Sequence, residues 1–183
     1  MGSPPGATRQ VPRRTFEALF RDDGVPPTGP MKDELRAIGL DLDALQPSYP
    51  LPILRLAFEV ARRHAFPALP EAEGFRSVGR AFVRGFKQTP IGWVFRSMAP
   101  VFGPERTIQT LPRYVGSVRE DLPMEIIAVG ERRYQLSSPD GGANPHFLAG
   151  CLDAVLETCG AKGGVVEVIT TTADGFSLDI RWG

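Results

Sequence analysis

Histidine and cysteine are scarce in this chain, with two of each in 183 residues. Cys151 and Cys159 lie eight residues apart on one expected helix, which sets their Cα atoms roughly 12 Å apart at 1.5 Å per residue. A disulfide needs less than about 7 Å, so the two cannot bridge each other. They read as buried thiols, which suits a reducing cytoplasm. His64 and His146 share no CxxC or HExxH spacing with other ligand types, so neither a metal centre nor a cofactor is expected. Charge of one sign is also missing: 21 basic residues balance 21 acidic ones. That excludes strong electrostatic capture of nucleic acid by the whole chain. No apolar run reaches the roughly 18 residues of a membrane span, and no signal-peptide pattern is present. Ser137 and Ser138 lack a G-x-S-x-G setting, and Asp140-Gly141-Gly142 has no Lys-Ser/Thr after it. With no nucleophile–base set to name, the chain is not expected to be an enzyme.

What the chain does have is phenylalanine, glycine and proline: 11, 20 and 18 residues respectively. Residues 1–12 are Pro- and Gly-rich and read as a disordered tail. Residues 13–183 read as a single α+β domain, helical over about 30–111 and sheet-rich over about 112–183. Residues 15–20 alternate well enough for a strand, residues 31–38 suggest a short helix stopped by Gly39, and residues 41–50 a turn-rich linker. Helices are expected over residues 52–66 and 71–89. In the second of these Phe75, Val78, Phe82 and Phe86 make an apolar stripe at helical spacing. Residues 91–102 are apolar nearly all round and should be deeply buried. Residues 112–123 should be extended or irregular. Segments 124–129 and 132–138 bracket Gly130-Glu131 as a hairpin. The last 40 residues read as a βαββ closing unit: a strand at 133–138, a helix at 145–159 capped by Asn144, and strands at 165–170 and 176–182. The sheet should be antiparallel with one long helix in this half.

Gly79, Gly85 and Gly92 stand inside or beside helices, where each costs about 1 kcal/mol relative to Ala. Close helix packing offsets such a cost; so does room for a bound acyl chain or ring. In the second case Phe82, Phe86, Trp93, Phe95 and Met98 would line an apolar pocket. Arg80 and Arg84 share one face at i, i+4, where like charges repel. They call for a partner carboxylate or a partner protein.

Gly39-Leu40-Asp41-Leu42, the run Gly79-Arg80-Ala81-Phe82-Val83-Arg84-Gly85-Phe86, Gln88-Thr89-Pro90-Ile91-Gly92, Leu111-Pro112-Arg113, Phe147-Leu148-Ala149-Gly150 and Arg181-Trp182 together resemble a family of uncharacterised proteins from Myxococcales and related bacteria. That family has no activity attached to it. Residues 133–170 alone resemble a wider superfamily: haem–nitric-oxide sensors, vinyl-reductase-type ligand-binding domains and Bet3-type tethering subunits. The haem sensors carry Tyr-x-Ser-x-Arg before the corresponding helix, to hold the haem propionates, and an axial His about thirty residues upstream. Here the stretch is Tyr134-Gln135-Leu136-Ser137-Ser138-Pro139-Asp140, with an acid where the Arg should stand, and residues 98–112 contain no His. The resemblance implies the fold without the haem chemistry.

Two functions remain from this reading. The first is a non-enzymatic cytoplasmic scaffold acting through protein–protein contacts or self-association. The second is a signalling domain that holds a hydrophobic metabolite or lipid, other than haem, in an apolar pocket.

Overall fold

The structure, a computed structural model, describes residues 9–118, 123–140 and 142–183. It is an α+β fold of six helices and two antiparallel sheets among the described residues. The chain opens on β1 (Gln10–Pro12), which pairs antiparallel with β2 (Ser48–Pro50), Val11 opposite Tyr49. Two expectations are corrected here. Residues 10–12 are strand rather than tail, and the presumed linker ends in β2; residues 1–8 of the tail lie outside the described residues. α1 (Arg13–Leu19) then replaces the strand expected at 15–20. Its buried residues are Thr15, Phe16, Ala18 and Leu19, a helical face whose Phe16-x-Ala18-x-Phe20 alternation mimics a strand in so short a run.

α2 (Gly29–Ala37) starts at Thr28, whose hydroxyl accepts from Met31 N, and has Pro30 in its first turn. α3 (Leu51–Ala65) and α4 (Glu71–Phe86) follow their expected stripes. With Phe16, Leu19, Met31, Leu35 and Leu54 they form one core. α5 (Pro90–Val118) is two helical segments meeting at Gly103, where φ is +73°. A side chain is strained in that left-handed region, so glycine suits the kink, and Pro104 starts the next segment. α5 corrects the sequence reading twice. It carries helix to Val118, where extended chain was expected from 112; residues 119–122 lie outside the described residues. Its first segment is not buried: Trp93 is 58% exposed, Met98 40% and Val101 76%.

The main sheet has the order β3-β4-β6-β5, from β3 (Glu125–Gly130), β4 (Arg133–Ser138), β5 (Val165–Thr172) and β6 (Gly175–Arg181). The hairpin turn is Glu131-Arg132, with Arg132 at φ +51°. β6 is central. Phe176, Leu178 and Ile180 alternate into a second core with Leu136, Leu152 and Leu156. The opposite face carries Asp179, which accepts from Arg133 Nε at 2.8 Å and Arg181 Nη1 at 2.7 Å. Burial pushes this carboxyl up, but the two guanidiniums outweigh it and hold it below the usual carboxylate range.

α6 (Pro145–Thr158) completes the βαββ unit, with the Asn144 side chain accepting from the amides of His146 and Phe147. α6 lies between the sheet and α4, and the α4–α6 approach is as close as backbones allow. A Cβ on Gly79 would strike the Phe147 carbonyl, and one on Gly150 the Arg76 carbonyl. Across the seam, Arg76 Nε donates to Asp153 at 2.6 Å, Arg80 stands 3.1 Å from the same carboxylate, and Arg76 Nη2 donates to the Val166 carbonyl of β5. Arg76, Gly79 and Arg80 thus clamp α4 to α6, while Arg84 and Gly85 of the same helix face Asp23 and Ala18.

Candidate functional site

Where α1, α4, α5 and α6 diverge, they leave a cavity of about 430 Å³. Each wall follows from a helical stripe. α4 supplies Phe82, Val83 and Phe86; α6 supplies Phe147, Leu148, Cys151, Leu152 and Val155; α5 supplies Ile91, Phe95, Leu111 and Val115. Phe86 and Phe95 lie 6.4 Å apart, centroid to centroid, and close the space between α4 and α5. The polar and charged residues of the wall are few: Arg14, Thr15, Glu17 and Arg21 from α1 and the turn after it, and Thr89, whose hydroxyl donates to the Phe86 carbonyl. Arg14, Arg21, Pro90 and Ile91 are the exposed members of the lining and mark its mouth.

A second cavity of about 310 Å³ lies on the other side of Phe147, between α3 and the loop before α6. Phe58 and Phe147 stack at 4.1 Å and border both spaces. Asp140, on the second cavity, faces Arg55 at 3.3 Å.

Of the five aromatic and sulfur residues picked from the sequence, Phe82, Phe86 and Phe95 line the larger cavity, while Trp93 and Met98 point away from it and are exposed. Arg80 and Arg84 do not form an open patch. Arg80 is paired with Asp153 and Glu157 of α6, and Arg84 Nε donates to the Asp23 carbonyl at 3.2 Å. The sequence reading passed over the α6 side of the cavity. Its signal is Phe147, Cys151 and Val155 at i, i+4 and i+8, a stripe hidden in a helix apolar on every side. It also missed Arg14 and Arg21, which flank the segment read as a strand, residues 15–20, and share a face only because that segment is helix.

His64 Nε2 lies 2.7 Å from Glu34 Oε2, and Arg63 also pairs with Glu34; these bonds hold the Glu34 carboxyl below its usual range. That cluster is remote from the cavity and closes the α2–α3 contact. No group of three or more His, Cys, Asp or Glu able to hold a metal ion occurs among the described residues. Both cysteines are buried and unpaired. Burial pushes the Cys151 thiol far up, and its Sγ donates to the Gly79 carbonyl at 3.5 Å.

The fold is that of H-NOX domains. A structure from a study of haem distortion in the H-NOX family shares 12% identity, covers 92% of this chain and 93% of its own, and superposes with a TM-score of 0.67. An oxygen-binding H-NOX domain related to soluble guanylate cyclases gives 14% identity, 92% and 89% coverage and a TM-score of 0.63. An unliganded Fe(II) H-NOX protein from K. algicida gives 11%, 93% and 94% coverage, and 0.62. The chain belongs to the family described as Protein of unknown function (DUF2378), which it matches over residues 9–183. A comparison with characterised proteins finds no match.

These likenesses overturn the scaffold reading. The solved structures that share the fold are H-NOX domains, one of them oxygen-binding, and in this chain helices leave an apolar cavity between them. They also require the donor set to be tested against haem. Among the described residues the lining contains no His, Tyr or Met. Its one sulfur, Cys151, is held as a neutral thiol, whereas iron takes a thiolate. Tyr134 has its hydroxyl between Gln109 and Glu105, and Asp140, standing in place of the propionate-binding Arg, is paired with Arg55. The residues present do not fit haem.

Proposed function

We propose that the protein is a ligand-binding sensor domain for an apolar small molecule other than haem, held between α1, α4, α5 and α6. The observation that carries this reading is a cavity of about 430 Å³ walled by phenylalanine, leucine and valine side chains in a fold shared with an oxygen-binding H-NOX domain. Its size is in the range of small-molecule sites, about 300–1,000 Å³. Filling it removes apolar surface from water at roughly 25 cal/mol per Å². The domain acts in the cytoplasm by binding, and occupancy is passed on through α5, whose first segment forms one wall and is exposed behind. No helix of the described residues is long and apolar enough to cross a membrane.

The test is native mass spectrometry of freshly purified protein, set beside its denatured mass and an organic extract. A discrete excess mass that passes into solvent is expected. A bare native mass, together with no adduct on adding long-chain alcohols, esters or acids, overturns the reading. A haem mass with a shifted Soret band would contradict the donor set.

A further inference from the structure

We propose that the ligand is a long-chain aliphatic carboxylate, its chain in the cavity and its carboxylate held at the mouth by Arg14 and Arg21. This rests on the apolar-ligand reading and names the class of ligand.

Among the described residues, charge in the lining is confined to one rim. Arg14, Glu17 and Arg21 are its charged members, all from α1 or the turn that follows, at i, i+3 and i+7. Glu17 lies 3.6 Å from Arg13 Nε, a residue outside the lining, so its charge is already engaged. The guanidiniums of Arg14 and Arg21 have no ion-pair or hydrogen-bond partner among the described residues, although the Arg21 carbonyl accepts from Gly24 N. By contrast Arg55, Arg63, Arg76, Arg80, Arg133 and Arg181 are each paired with carboxylates. Two unpaired guanidiniums at the mouth of an apolar cavity match an amphiphile with an anionic head. The planar fork of Arg suits a carboxylate, and a charge left at the rim escapes the cost of burial.

Size agrees with a chain. At about 30 Å³ for a water-sized group, the cavity holds roughly a dozen methylenes. The alternating Phe, Leu and Val walls offer such a chain no hydrogen-bond partner it would leave unsatisfied.

The experiment compares tetradecanoate with its methyl ester by calorimetry on the full chain. The protein is tested as wild type, as the double variant Arg14→Gln/Arg21→Gln, and as the control Arg36→Gln, on α2 and outside the lining, each checked by thermal melt. The acid is expected to bind wild type and the control at least tenfold more tightly than the ester. In the double variant the acid weakens at least tenfold and the ester is unchanged. Equal binding of acid and ester, or an unaltered acid affinity in the double variant, overturns the carboxylate assignment and leaves an apolar pocket standing. Binding of neither, by every variant, overturns both.

Discussion

Asp153 shows at the scale of one residue how the α4–α6 seam is fixed. Its carboxylate is 3% exposed and meets two guanidiniums, from Arg76 and Arg80, that are themselves about a third exposed. Removing a buried partner costs most when the charge left behind stays dry. Here water reaches both arginines, so the cost falls at the low end of the 3–5 kcal/mol range for such pairs. Asp153→Ala is expected to lose about 3 kcal/mol in urea unfolding, and Glu157→Ala, on the exposed side of the same cluster, under about 1 kcal/mol. Equal losses would show that the seam does not depend on the buried carboxylate. Part of this was legible in the sequence. Helix glycines at 79 and 85 demanded a compensation, and the structure supplies it as contact with the carbonyls of Phe147 and Ala18. The partner of Arg80 was not legible, because a carboxylate 73 residues away on another helix leaves no local trace.

At the scale of the element, α5 is where pattern and structure part. Eight apolar residues among the twelve of 91–102 imply burial all round, yet the first segment turns only a narrow stripe inward: Gly92, Phe95 and Ala99, at spacings of three and four. Periodicity names the faces a helix has, and cannot say how many neighbours arrive to cover them. The rest, Trp93, Val94, Met98, Val101 and Phe102, faces solvent. A segment with few buried side chains and a kink at Gly103 opens at low free-energy cost. Backbone amides of residues 91–102 are therefore expected to exchange with deuterium at least tenfold faster than those of α6. A saturating apolar ligand should slow the α5 amides selectively, because it adds the missing contacts at Ile91 and Phe95. Uniform protection across α5 and α6, unchanged by ligand, would show α5 to be a fixed wall.

Over the whole molecule, the sequence exposed the two layers clearly. The βαββ unit, the Asn144 cap and the antiparallel sheet follow from periods of 2 and 3.6 and from turn chemistry. The strand order β3-β4-β6-β5 did not, since it depends on β6 inserting beside β4 rather than on any local signal. Nor did the cavities, which are left where α1, α4, α5 and α6, and α3 and the loop before α6, fail to meet. Their relation to each other yields a prediction at this scale. The Phe58–Phe147 stack separates about 430 Å³ from about 310 Å³, and Phe147 also contacts Phe82 at 5.7 Å. Phe147→Ala removes that partition. It should destabilise the fold by about 3 kcal/mol, as large-to-small core changes do. It should also move the preferred chain length of a bound aliphatic ligand upward by several methylenes, because the added space admits roughly ten water-sized groups. Measuring affinity against chain length in wild type and variant decides this. An unmoved optimum with weaker binding throughout would mean that α3 and the loop before α6 collapse into the gap, and that the two cavities are not one site divided by a ring.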